Sequence, residues 1–248
     1  MGKNKLKKFE EMKGFEQVVQ APFITTDNGD FYLKGKWGEK FFHNGNPIIL
    51  ELGCGKGEYT VEQAEKWPDK NFIGVDIKGA RMWSGAKTSQ NNGLKNVGFL
   101  RTNIEFIEQF FNTEEVEEIW LTFPDPQMGK TRKRLTSTHF LKKYQQILKK
   151  NGIIHLKTDS NYQYSYTSML VHLNSFELLA KTNDLYKSEF LNDTLQIQTY
   201  YEKQWRSRGI PIKYLAFRLN NSTWEEPEIE FEKDDYRSFG RSARNRQP

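Results

Sequence analysis

Residues 47–58 run Pro47-Ile48-Ile49-Leu50-Glu51-Leu52-Gly53-Cys54-Gly55-Lys56-Gly57-Glu58. Ile48 to Leu52 is an apolar run of strand length, too short for a helix, with a carboxylate at its fourth position. Three glycines at alternate positions follow, where the backbone can turn tightly and a ligand can come close to the main chain. The spacing Glu-x-Gly-x-Gly-x-Gly departs from the dinucleotide pattern Gly-x-Gly-x-x-Gly, because position 58 is Glu. A pyrophosphate here would be repelled by Glu51 and Glu58, whereas a cationic ligand would be attracted.

On the C-terminal side the pattern alternates. A helix is predicted over 58–66, stopped before Pro68, then a strand over 71–76 and a helix over 79–92 closed by Gly93. Strands follow at 97–101, 118–123 and 152–158, with helices at 104–111, 137–148 and 162–174 between and after them. Later strand candidates are 176–182 and 213–219. Strands separated by helices of this length predict an α/β fold, a mostly parallel seven-stranded sheet flanked by helices. Ligands in such sheets sit at the carboxyl ends of the strands. That rule selects Glu51 to Gly57, Asp76, Asn103, Asp125 and Asp159. Residues 1–40 read as an irregular basic and aromatic arm, punctuated by Pro22, Gly29, Gly35 and Gly38 with Phe23, Phe31, Tyr32 and Trp37 between. The main domain is expected over 41–222, and 223–248 reads as a tail, acidic and then basic.

Composition bounds the function. At 248 residues with 36% hydrophobic and 14% aromatic content, the chain can bury a real core. Cys54 is the single cysteine, which excludes an internal disulfide framework and a cysteine zinc site. No apolar run approaches the roughly 18 residues of a membrane helix, and no apolar signal segment follows the basic N-terminus. The expectation is a soluble, cytoplasmic chain with no membrane partner and no metal; monomer and homodimer are both compatible. The net charge of +5 hints only weakly at a polyanion, but its distribution says more. Between Asp125 and Asp159 there is no acid, while Lys130, Arg132, Lys133, Arg134, Lys142, Lys143, Lys149, Lys150 and Lys157 all fall there. Further cations stand at Lys3, Lys5, Lys7 and Lys8 and at Arg237, Arg241, Arg244 and Arg246. A solvated helix face explains Lys142 to Lys150 equally well.

Asp76, ending the second predicted strand, is placed to accept hydrogen bonds from a ribose diol. A ligand with ribose, adenine and positive charge but no phosphate is S-adenosylmethionine. Glycine turn plus Asp76 inside a βαβ unit resembles the first two motifs of class I methyltransferases, with their Rossmann-like fold. A tight turn without a ligand is the bland alternative, and Cys54 reads as a small filler. The strand 118–123 runs into Phe123-Pro124-Asp125-Pro126-Gln127, where two prolines lock the backbone around one carboxylate. The basic run Lys130-Thr131-Arg132-Lys133-Arg134 follows within five residues, which suggests phosphate contacts and a nucleic-acid substrate.

Taken in order, LELGCGKGEYT, FIGVDIKGAR, LRTNIEFI, the FPDP turn with its basic continuation, LKTD and TYYEKQW resemble the bacterial tRNA (guanine-N7)-methyltransferase family, from about Pro47 to Leu219. The resemblance implies methyl transfer from S-adenosylmethionine to N7 of guanine 46 in the tRNA variable loop. It implies donor binding by Glu51, Asp76, Asn103 and Asp125, with Gly53 and Gly55 of the turn, and a catalytic role for Asp125. It implies substrate binding by Lys130 and Arg132 of the basic loop, and by Asp159, Thr199 and Glu202. Taken alone, Asp159 would pass for a helix N-cap, and Thr199 with Glu202 for a capping box. Two positions depart from the family pattern: Gln127 stands where Trp is usual, and Gly129 where a lysine is expected, with Lys130 beside it. His43, His139, His155 and His172 show no ligand spacing, and His155 reads as a packed strand residue. A methyltransferase with another target, a nicotinamide oxidoreductase and a non-catalytic RNA-binding module are the competing readings. The first two lack their own motifs here, and the third would not require Glu51, Asp76 and Asp125.

Overall fold

The structure is a computed structural model. It describes residues 2–22, 31–221 and 224–237. Phe23, Gly29 and the tail cations Arg241, Arg244 and Arg246 lie outside the described residues.

The chain forms β2 (Ile48–Leu52), α2 (Glu58–Lys66), β3 (Asn71–Val75), α3 (Gly79–Asn91), β4 (Val97–Arg101), β5 (Val116–Thr122), α4 (Thr138–Ile147), β6 (Leu148–Thr158), α5 (Asn161–Leu173), β7 (Glu177–Thr182), α6 (Tyr200–Ser207) and β8 (Lys213–Arg218), preceded by α1 (Gly2–Lys13) and β1 (Val18–Gln20). The sheet order is β1-β4-β3-β2-β5-β6-β8-β7. All neighbours are parallel except β8, which runs antiparallel to both β6 and β7. From β2 the chain builds outward through β3 and β4, then returns to place β5 on the other side of β2. The strand order reverses there, opening a crevice at the carboxyl ends of β2 and β5.

Alternate residues of the central strands feed two cores. Leu50, Ile73, Leu121 and Leu156 pack with Phe140, Tyr144 and Leu170 of α4 and α5. Ile49, Phe72, Phe99 and Trp120 pack on the other face with Met12, Tyr59 and Met82 of α1, α2 and α3. Burial on both faces is why β2 and β3 read as nearly continuous apolar runs.

The sheet has eight strands where seven are expected, and the reason lies in the N-terminal region. Residues 1–40, expected as an irregular arm, contribute α1 and the edge strand β1, which pairs with β4 through Val18 opposite Phe99. Glu11 of α1 accepts a hydrogen bond from Trp83 Nε1 of α3 at 2.7 Å. Trp37 is buried, its Nε1 donating to the Phe110 carbonyl and its ring stacked on Phe111. At the other end, Glu226 accepts hydrogen bonds from the Thr138 amide and hydroxyl at 2.8 Å, at the start of α4.

Candidate functional site

The turn after β2 carries three glycines in the left-handed region, with φ of 83° at Gly53, 57° at Gly55 and 72° at Gly57. Their surroundings differ. A β-carbon on Gly57 would stand 2.5 Å from the Phe99 ring, so this glycine lets α2 seat against β4 and α3. One on Gly53 would meet nothing nearer than Leu135 at 3.8 Å, and one on Gly55 only the Gly53 carbonyl at 4.0 Å. Those two face open space, which is what close approach of a ligand to the main chain requires.

Asp76 follows β3 and ties the turn down. Its Oδ2 accepts from the Gly55 amide at 3.0 Å and its Oδ1 from the Lys78 amide at 2.7 Å. Glu51 lies behind the turn, 2% exposed. It accepts from the Thr60 amide at 2.9 Å and from the Thr60 and Thr122 hydroxyls, linking β2, α2 and β5. Burial raises its pKa from 4.5 to about 7, against the lowering effect of these hydrogen bonds. Burial, with Glu51 and Asp76 beside it, also pushes the Cys54 thiol up, so this cysteine stays protonated filler and not a nucleophile. Asn103 is exposed after β4 and caps the 3₁₀ turn Ile104–Gln109 by accepting from the Glu105 amide. Two neighbours lie outside the residues that the strand-end rule selects: Ile77 (42% exposed) after Asp76 and Phe106 (39% exposed) after Asn103 are large apolar side chains left in solvent. An apolar residue shortly after each strand-end polar group was the available signal.

The β5 end supplies the other wall. Phe123 (φ 50°) and Gln127 (φ 48°) both take left-handed backbone on either side of Pro124-Asp125-Pro126. Such conformations cost about 1–3 kcal/mol each in non-glycine residues and persist only where the surroundings enforce them. Arg134 supplies much of that enforcement. It is buried, with Nε donating to the Pro126 carbonyl at 2.8 Å and Nη2 donating to the Gln127 carbonyl at 3.1 Å and the Tyr162 hydroxyl at 2.8 Å. Its guanidinium also lies 3.9 Å from the Tyr166 ring centroid. The reading of Arg134 as a phosphate contact is therefore corrected: two tyrosines of α5 draw it inward. Asp125 itself is exposed, with Oδ1 accepting from the Gln127 amide at 3.0 Å.

The same sorting applies along the basic stretch. Lys157 is fully buried, with Nζ donating to the Leu195 and Ile197 carbonyls and pairing with Glu202 at 2.9 Å. Lys143 pairs with Glu108 and Lys149 with Glu117. Lys130, Arg132 and Lys133 are exposed and make no ion pair among the described residues.

Asp159 and Glu202 are both 0% exposed. Asp159 accepts from the Tyr236 hydroxyl at 2.9 Å, and the N-cap of α5 is its neighbour Ser160. Thr199 is the N-cap of α6, accepting from the Glu202 amide at 3.2 Å. Glu202 does not complete a capping box, because its Oε1 turns to Lys157 and to the Tyr186 hydroxyl. Burial raises the Glu202 pKa and lowers that of Lys157. The α6 start is brought to the glycine turn by the Tyr200 amide, which donates to Glu58 Oε2 at 2.9 Å. His155 stacks on Trp120 at 3.9 Å with Nδ1 against the Tyr214 hydroxyl, a packed residue as expected. Among the described residues no group of three or more His, Cys, Asp or Glu side chains could hold a metal ion, and no helix is long and apolar enough to cross a membrane.

A family model described as "Putative methyltransferase" matches residues 45–215. A tRNA (guanine-N(7)-)-methyltransferase of Bacteroides thetaiotaomicron is 55% identical over 246 residues, covering 99% of this chain and 98% of that protein. One of Porphyromonas gingivalis is 53% identical over 94% of this chain and 98% of its own length. Among solved structures, a 16S rRNA (adenine(1408)-N(1))-methyltransferase from Catenulisporales acidiphilia aligns with a TM-score of 0.53 at 14% identity, over 79% of this chain and 96% of that one, a likeness of fold alone.

Proposed function

The chain belongs to the tRNA (guanine-N(7)-)-methyltransferase family, and from that premise we propose that it transfers a methyl group from S-adenosylmethionine to N7 of guanine 46 in the variable loop of tRNA. The observation that carries this reading is the juxtaposition of an open glycine turn and an exposed carboxylate, Asp125, after the adjacent parallel strands β2 and β5.

The residues present fit this methyl donor. The open sides of Gly53 and Gly55 would admit its amino-acid end. Asp76 would accept from its ribose, and Asn103 with Ile77 and Phe106 would flank its adenine. Glu51 would act from behind the turn, adding negative potential opposite positive charge. Bound there, S-adenosylmethionine supplies a methyl group already activated on a positively charged sulfur.

Guanine N7 carries a lone pair and no proton, so no general base is required. The protein's task is to align N7 with the methyl group at a near-attack distance and to favour the positive charge that the purine acquires. Asp125 is suited to both: its turn is clamped by Arg134 and one carboxylate oxygen is left for a ligand among the described residues. Lys130 and Arg132 would hold tRNA phosphates. Asp159, Thr199 and Glu202 would complete the acceptor side, the buried acids by fixing the backbone around α5 and α6. The reaction belongs in the cytoplasm, where tRNA is the polyanion the charge distribution anticipates.

The test is methyl transfer from labelled donor to unmodified tRNA, followed by nucleoside analysis. 7-Methylguanosine that vanishes when the variable-loop guanine is replaced is the expected result, and transfer to a different guanine or RNA removes the assignment to position 46. Asp125→Ala is expected to lower turnover at least 100-fold with donor and tRNA still bound. Intact turnover in that variant would remove Asp125 from the mechanism.

A further inference from the structure

Tyr200 is a large aromatic side chain left in solvent at the mouth of the site. The residue is 47% exposed. Its position is nevertheless fixed from three directions. The backbone amide is tied to Glu58, the first residue of α2 after the glycine turn, at 2.9 Å. Its hydroxyl accepts from Gln204 Nε2 at 3.0 Å. Tyr201 meets the ring edge-on, with centroids 5.7 Å apart and an interplanar angle of 74°. A ring held at its rim with so much surface open is a platform and not a core residue.

The ring also carries a cation. Lys56, inside the glycine turn, holds Nζ 4.2 Å from the ring centroid. The π face is therefore accessible to positive charge, which an aromatic quadrupole favours. Lys56 is weakly committed there: its other partner, Glu58, is 3.9 Å away and both side chains are partly exposed. Near Asp125, the turn itself presents Gln127 and no solvent-exposed ring.

Resting on the reading above, we propose that Tyr200 is a positioning residue for the acceptor base: the target purine stacks on its ring, and that face stabilises the positive charge which methylation places on the purine. The guanine N7 lone pair forms the new bond to the methyl carbon as the carbon–sulfur bond breaks and its electron pair returns to sulfur, which leaves as a neutral thioether; guanine gains the positive charge that sulfur loses, and no proton moves. Lys56, displaced by the purine, is freed to meet a phosphate of the same RNA. The platform sits beside the glycine turn, through the Glu58 and Lys56 contacts, and in this proposal supplies the π face while Asp125 supplies the carboxylate.

The experiment compares the wild type with Tyr200→Phe and Tyr200→Leu, and with fluorinated phenylalanines incorporated at position 200. The readouts are single-turnover transfer to unmodified tRNA and donor Kd by calorimetry. Tyr200→Phe keeps transfer near wild type. Tyr200→Leu lowers kcat/KM for tRNA on the order of 10-fold or more, the range of base–aromatic stacking, while donor Kd holds. Successive fluorines, which weaken the π face without changing its shape, lower the transfer step in proportion, an effect a purely structural ring would not show. Unchanged transfer by Tyr200→Leu, a flat fluorine series, or a parallel loss of donor affinity overturns the inference alone. A wild type that transfers no methyl to tRNA overturns the function on which it rests.

Discussion

Replacing Glu51 by glutamine removes a titratable group from behind the glycine turn while keeping its shape. The Glu51 carboxyl is 2% exposed, and burial lifts its pKa from 4.5 to about 7. Below pH 4.5 native and unfolded chains both hold the proton, and this site gives stability no pH dependence. Between 4.5 and about 7 the unfolded chain has lost the proton and the native chain keeps it. Folding there takes up a proton, so native stability falls as pH rises and the loss levels off above the native pKa. At about 1.4 kcal/mol per pH unit, the full loss is about 3 kcal/mol. Urea unfolding of wild type and Glu51→Gln from about pH 5 to about pH 8 isolates the contribution by difference, since other groups titrate in both proteins. The glutamine variant is expected to gain on the wild type with rising pH, most steeply below about pH 7, and then to run parallel to it. Profiles parallel throughout, or a gap that opens toward acid pH, would refute the account of Glu51 as a buried, reluctant anion.

Two further perturbations test how the site is held and what it meets. Arg134→Ala leaves the Pro126 and Gln127 carbonyls and the Tyr162 hydroxyl without their donor, and is expected to cost roughly 3 kcal/mol in urea unfolding and to lower methyl transfer as the Asp125 turn loosens. Arg134→Lys, with one point donor for three acceptors, is expected to restore only part of either. The double variant Lys130→Ala/Arg132→Ala is expected to bind tRNA more weakly at low salt, with the slope of log affinity against log salt reduced by about one for each phosphate no longer neutralised and donor Kd unchanged.

Where burial is decided locally, the sequence can be read. β2, β4 and α2 fall where the apolar runs and their glycine and proline borders place them. β1 does not, because Val18–Gln20 is three half-buried residues whose strand partner, β4, lies about eighty residues away. α1 is lysine-rich, and its burial rests chiefly on Met12, too little for a helical stripe to show. In the candidate site, Asp76, Asn103 and Asp125 can be picked out from sequence as polar residues at strand ends. The inward turn of Glu51 was not, since Thr60 and Thr122 come from two other elements. Arg134 and Arg132 are alike in sequence, and the contacts of Arg134 with Tyr162 and Tyr166, about thirty residues on, are part of what sets the buried cation apart from the exposed one.

That distinction matters for the chemistry. The reaction creates a cation on a base delivered by a polyanion, so the mouth needs carboxylates and cations that do not neutralise one another. The nearest buried cation to Asp125 in sequence, Arg134, spends its donors on the carbonyls of Pro126 and Gln127 and on the Tyr162 hydroxyl, not on the Asp125 carboxylate. Asp125 has no ion-pair partner among the described residues, while Lys130, Arg132 and Lys133 follow on an exposed segment of the same loop. A single arginine thus fixes the geometry of the acid without quenching its charge. An Asp125 paired with a guanidinium would hold the turn as firmly but offer little field to a developing positive charge. The preference for carbonyl acceptors over the neighbouring carboxylate is what allows an exposed basic loop and an acid without an ion-pair partner among the described residues to share ten residues of chain.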